Sequence, residues 1–238
     1  RNDNVNYFNN KFNTNDTVAI KGVCDEYNGN RLIKILSINK VHGHIYDRYA
    51  FNINVLFSDS KKYSQTDFGL LDDYFNFIER KYYLIIRKIY NDNFEKLSKI
   101  PLTLYKEYSY QSGYINHLFN LLTKATAYSD NKGANYSKLL VCILIHDIGK
   151  LDYFDCSNIP KIASDGLLLG ASNLGVKIIE KYGKKGSVDK DVVDILCHII
   201  LCYNQISNDS GNSDISIRLK EITLLKQLKK NDLSSFRK

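Results

Sequence analysis

From residue 67 onward, apolar residues recur at helical spacing through most of the chain. Leu70, Leu71, Tyr74, Phe75 and Ile78, then Leu84, Ile85 and Ile89, trace the i, i+3, i+4 stripe of a helix face, which predicts two helices over 67–98. Pro101 suits the start of a new element. The same periodicity predicts helices at Tyr114–Tyr128, Ser137–His146, Ala171–Tyr182, Asp189–Cys202 and Ile215–Asn231. The N-terminal part follows another period. Val18, Ile20 and Gly22 lead to a break at Asp25–Asn30, where Asn28–Gly29 is a strong hairpin signal. Beyond it, Leu32–Ile38 alternates as a half-buried strand does. Between Tyr46 and Gln65 the pattern loses its period. The expected organisation is therefore mainly α: a flexible lead over 1–16, a β-hairpin over 17–45, a linker over 46–66 and a helical domain over 67–238, without internal repeats.

The segment on which the helical part centres is Leu139–Lys150, LLVCILIHDIGK, a buried apolar run that ends in His146–Asp147. A neutral imidazole offers nitrogen and a carboxylate offers oxygen to a metal, so two such side chains aimed into a core suit a metal site. The plainer reading is a buried histidine hydrogen-bonded to its neighbouring aspartate. His117, on the amphipathic helix before it, and His198, in the apolar segment CHIIL, complete the histidines of the helical part. Their placement on separate apolar helices favours one converging constellation. His42 and His44, in VHGH, lie in a loop with no cysteine or carboxylate cluster nearby and are expected to be solvated.

Composition narrows the classes. A 44% hydrophobic content supports a globular core, and a formal charge of +7 with pI ≈ 9.0 favours polyanionic partners such as RNA. Cys24, Cys142, Cys156, Cys197 and Cys202 form no CxxC pair and read as reduced thiols in a reducing intracellular compartment, cytoplasm or organelle. No apolar run of about 18 or more residues would cross a membrane, and the polar, Asn-rich start lacks the apolar core of a secretory signal. The absence of Met points to a processed or truncated chain, and the wealth of Asn, Ile, Lys and Tyr to an A+T-rich genome.

HDIGK after an apolar helix resembles the central motif of the HD superfamily of metal-dependent phosphohydrolases. From about residue 17 to 238 the chain resembles the YhaM-type 3′→5′ exoribonucleases, which join an OB-fold to an HD domain. Pro101, Tyr110 and Gly113 keep their places in the family pattern. His117, His146, Asp147 and His198 match metal ligands, and Lys150 the lysine that comes after the central pair. Gly166–Gly170 matches the next family segment. The resemblance implies an HD helical bundle, a partial OB-like hairpin in front of it, and a phosphodiesterase centre with Asp147 and Lys150 in catalytic roles.

The departures cut against activity. Glu107 and Tyr108 stand where the family has a His-His pair, and Ala171 where it has a further histidine. Tyr203 and Asn204 replace another His-His pair, and Lys229 falls on the terminal aspartate, with Asp232 three residues on. Two-metal activation of water then looks lost. The expected centre holds one weakly bound divalent ion (Mn, Mg or Fe), or none with Lys229 pairing Asp147. Two functions are consistent with this pattern: a degenerate HD protein serving as an RNA-associated scaffold or a subunit of a larger ribonucleoprotein, or a still active metal-dependent exoribonuclease or nucleotide phosphohydrolase.

Overall fold

The computed structural model describes residues 11–13, 16, 18–27, 29–40, 65–104, 107–129, 135–156, 160–205 and 220–234. It divides into two units, 1–58 and 59–238. The chain is mainly helical, with a small antiparallel sheet in the first unit. His42, His44 and nearly all of the expected 46–66 linker lie outside the described residues, as does most of the 1–16 lead; Gln65 and Thr66 already open a helix.

In the first unit, β1 (Val18–Tyr27) and β2 (Asn30–Lys40) pair antiparallel from Val18↔Lys40 to Tyr27↔Asn30. Gly29 takes φ +75° in the turn, a left-handed conformation that costs glycine no steric clash. A register shift between Lys21 and Gly22 marks a bulge. The expected half-buried strand is corrected here: Leu32, Ile33, Ile35 and Leu36 are exposed, as are Ile20, Val23 and Tyr27. Two strands form one layer, and apolar side chains project from both of its faces.

In the second unit, α1 (Gln65–Phe75), α2 (Arg80–Asp92) and the single turn α3 (Phe94–Leu97) replace the two helices expected over 67–98. Next come α4 (Gly113–Ser129), α5 (Tyr136–Ile145) and a second single turn, α6 (Lys150–Tyr153). A two-residue strand pair, β3 (Phe154–Asp155) and β4 (Lys161–Ile162), leads into α7 (Ser164–Lys185), α8 (Lys190–Gln205) and α9 (Lys220–Ser234). Helix α7 begins seven residues before its expected start, Ala171. Its first turns carry the exposed Leu167, Leu168 and Leu169, which no amphipathic stripe would include, and Gly170 (φ 72°, ψ 161°) breaks the helical path between the two parts.

The core is built around α5. Every side chain from Leu139 to Ile145 is buried, so this helix is apolar on all sides rather than along one stripe. Burying each of its larger aliphatic side chains contributes roughly 1.5–3 kcal/mol. Asn135 starts the helix by accepting a hydrogen bond from the Lys138 amide at 3.0 Å, a cap worth about 1 kcal/mol. Helices α4 and α9 pack against α5, α9 also lies on α4, and α7 packs on α8. The end of α5 is thereby enclosed by α4, α8 and α9.

Tight turns carry the chain from α5 to α6, with Ile148 N bonded to Ile145 O and Lys150 N to Asp147 O. Gly149 sits directly on the backbone of α7. An added Cβ would overlap the carbonyl oxygen of Ala171 and come within 2.5 Å of the Gly175 amide nitrogen. Backbone cannot yield as a flexible side chain can. Gly149→Ala is therefore expected to destabilise the helical unit by about 1–3 kcal/mol or more, measured by chemical denaturation. A variant with wild-type stability would contradict this packing.

Candidate functional site

Three donors meet where α5 ends. One ligand atom each from His117, His146 and Asp147 lies within 4.8 Å of the other two, and all three residues are buried. His117 comes from α4 and the other two from the turn after α5. The His117 and His146 rings stand edge to face, with centroids 6.0 Å apart.

Each imidazole has its Nδ1 engaged. His117 Nδ1 donates to Asp232 Oδ2 at 2.7 Å, and His146 Nδ1 donates to the Ile143 carbonyl at 2.8 Å. Both Nε2 atoms are left as buried lone pairs facing the cluster. Among the described residues they are the buried side-chain polar atoms without a hydrogen-bond partner. Buried polar groups normally find partners, so this pair calls for an explanation. His146 Nε2 lies 3.3 Å from Asp147 Oδ2, but outside hydrogen-bond geometry. Acceptor lone pairs beside a carboxylate are a setting for positive charge.

That charge is present as an ammonium. Lys229 Nζ, from α9, donates to Asp147 Oδ2 at 2.9 Å, the ion pair expected from its position. Burial alone would raise the pKa of Asp147; the Lys229 and Lys150 ammonium groups hold it well below the ordinary carboxylate range. Burial alone would lower that of Lys229; the Asp147 carboxylate and Tyr203 push it above the usual lysine value. The two partners agree on a fully ionised pair.

Asp232, one turn beyond Lys229, is the residue whose role the sequence did not reveal. It is buried and accepts from His117, from Tyr108 Oη at 2.8 Å and from Lys124 Nζ at 2.7 Å. These hydrogen bonds outweigh burial and keep its pKa low. Tyr108 reaches Asp232 from a residue in the left-handed region (φ 58°) and itself accepts from Asn120 Nδ2 at 2.7 Å. So Asp232 holds the His117 ring and fixes which nitrogen faces the cluster, a carboxylate–histidine relation familiar behind metal ligands. A buried Asp one helical turn after an aligned Lys was the available signal.

His198 requires correction. It is not part of the cluster. Its ring lies on Cys202, with Sγ 3.4 Å from Nε2, and it lines a separate apolar cleft with Tyr82, Val141 and Ile195. Tyr203 is the α8 residue at the site: it stands edge-on to His146 at 4.8 Å. His198 lies five positions earlier, about 140° around the helix, and so points away.

The remaining expected positions gather at a cleft over Asp147. Lys150, Ala171, Tyr203, Asn204 and Lys229 line it. Lys150 Nζ donates to the Leu102 carbonyl at 2.6 Å, and burial lowers its pKa against the pull of Asp147. Asn204 donates to the Ile200 carbonyl at 2.9 Å.

The three donors fit a small divalent ion in kind: two neutral nitrogens and one carboxylate oxygen. The ammonium on Asp147 opposes one in charge. At an effective dielectric of about 20, unit charges about 4 Å apart interact by about 4 kcal/mol, and a divalent ion doubles that.

The sequence matches no family model and no curated protein, and the fold matches no solved structure.

Burial lowers the pKa of His117 from 6.5 to about 4, with the Asp232 hydrogen bond opposing that shift and Lys229 adding to it. The unfolded chain therefore takes up a proton below pH 6.5 that the folded ring refuses until about pH 4. Folding stability should fall as pH drops through that window, by up to about 3 kcal/mol from this ring. The depressed Asp147 and Asp232 add their loss only at lower pH. Urea midpoints measured between pH 7.5 and 4.5 should decline, and His117→Asn should flatten the slope. A wild-type midpoint independent of pH would contradict a neutral buried His117.

Proposed function

We propose that this chain is a degenerate HD-superfamily protein of YhaM-like descent, with a helical HD bundle and a remnant OB-like hairpin. It serves as an RNA-associated scaffold or a subunit of a ribonucleoprotein rather than as a hydrolase. The observation that carries this reading is the Lys229 ammonium on Asp147 Oδ2 at 2.9 Å, where the family places a carboxylate. Asp147 is the carboxylate that a catalytic metal would need, and here a tethered cation occupies it. Tyr203 against His146 fills further space that a second metal and its histidines would take. The excess positive charge, +7 over the chain, supports a polyanionic partner.

The two unpartnered Nε2 atoms favour a second reading, a surviving one-metal phosphodiesterase. On that reading His117, His146 and Asp147 would hold the ion, which would supply an activated water. Asp232 and the Ile143 carbonyl would keep both rings in the ligating tautomer, and Lys150 would meet substrate at the cleft.

Lys229→Met should cost about 3–5 kcal/mol, because Asp147 would stay buried without its partner. Lys229→Asp should bind Mn²⁺ more tightly than the wild type in equilibrium dialysis. The wild-type chain should retain a labelled RNA in filter binding, less so as salt rises, and leave it full-length in Mn²⁺ or Mg²⁺. Metal-dependent shortening of that RNA, abolished by Asp147→Ala, would establish the second reading instead.

A further inference from the structure

We propose that the lysine-lined cleft over Asp147 binds a small phosphorylated ligand through ammonium groups, without a metal; this rests on Lys229 being the fixed cation of the centre. The cleft has a volume of about 670 Å³ and is lined by Lys150, Lys226, Lys229, Lys230, Tyr203 and Ser172, among others. That volume falls within the range of about 300–1,000 Å³ typical of small-ligand sites.

Lys226, Lys229 and Lys230 share one face of α9 at i, i+3 and i+4 spacing, where like charges repel. The fold nevertheless concentrates them. Lys226 Nζ and Lys229 Nζ lie 5.6 and 5.1 Å from the same Tyr203 ring centroid, on a π-face that attracts cations. Lys150 enters from α6 and is steadied by the Leu102 carbonyl. Among the described lining residues four lysines thus stand with one carboxylate, which Lys229 pairs.

The far wall adds to the field. Gly170 is non-helical, so α7 resumes at Ala171, and Ala171 and Ser172 line the cleft at the start of that second part. The partial positive charge of a helix start favours an anion there. Lys150, Lys226, Lys229 and Lys230 all line this one cleft, two of them over the same Tyr203 ring. A terminal phosphate, carrying roughly −1.5 to −2 near neutral pH, matches them better than a singly charged internal phosphodiester.

Calorimetric titration of the full chain in chelator tests this, with three probes: inorganic phosphate, a nucleoside 5′-monophosphate, and an oligonucleotide without terminal phosphates. Saturable one-to-one binding of phosphate or of the nucleotide is expected. The tighter of the two shows whether groups beyond the phosphate contribute. Lys226→Gln and Lys230→Gln should each weaken binding about tenfold, with melting temperature as the check on folding. Three results would overturn the proposal: no saturable binding of either small probe, affinity unchanged in the double variant, or binding of the oligonucleotide alone. Retention of RNA without phosphate binding would reject this site and leave the scaffold reading standing. Metal-dependent RNA shortening would reject the scaffold reading, while phosphate binding in chelator is scored separately.

Discussion

Two imidazole lone pairs and a carboxylate, buried together at the end of an apolar helix, cannot be left without positive charge. The surroundings of this centre answer that constraint. His117 and His146 present Nε2 inward because their Nδ1 atoms are bound to Asp232 and to the Ile143 carbonyl. Asp147 stays ionised in the interior because Lys229 reaches it from α9. A metal ion would satisfy all three donors at once. The ammonium satisfies one, leaving both Nε2 atoms without partners. The pocket thus keeps the donor geometry suited to a metal while holding a tethered cation of its own.

Helix α9 supplies both halves of this arrangement. Lys229 and Asp232 are one turn apart, so a single element delivers the cation to Asp147 and the carboxylate to His117. Tyr108, strained into the left-handed region, and Lys124 complete the second partnership from the loop before α4 and from α4 itself. Coupling runs through packing as well: the Gly149 turn seats the His146–Asp147 segment on the α7 backbone. Loss of either charge on α9 therefore reaches the centre through a different residue, Asp147 in one case and His117 in the other.

Much of this was legible in the sequence where one residue type leaves few choices. The all-apolar Leu139–Ile145 run predicted a buried helix, and His146–Asp147 at its end a buried polar pair. The Lys229–Asp147 contact came from placing a lysine where a carboxylate was expected. Rotation about a helix axis was harder to read. His198 sits in an apolar segment, but α8 turns Tyr203 toward the centre and His198 onto Cys202. Asp232 was hidden for a related reason, since a three-residue offset on a helix preserves the face while changing the partner. The start of α7 was missed because Leu167–Leu169 are apolar yet exposed, and periodicity reports burial rather than helicity. The hairpin was recognised from Asn28–Gly29, whereas its exposure depends on what covers it, which alternation along a strand does not encode.

Whether Lys229 has taken over the charge role of a metal is tested most directly by a double-mutant cycle on the pair itself. Stability of the wild type, Lys229→Met, Asp147→Asn and the double variant would be measured by urea unfolding at neutral pH. A tethered cation that neutralises a buried carboxylate predicts a favourable coupling of about 2–3 kcal/mol, with the double variant far more stable than the sum of the single losses implies. Losses that add to within about 0.5 kcal/mol would contradict it, showing that Lys229 and Asp147 contribute independently.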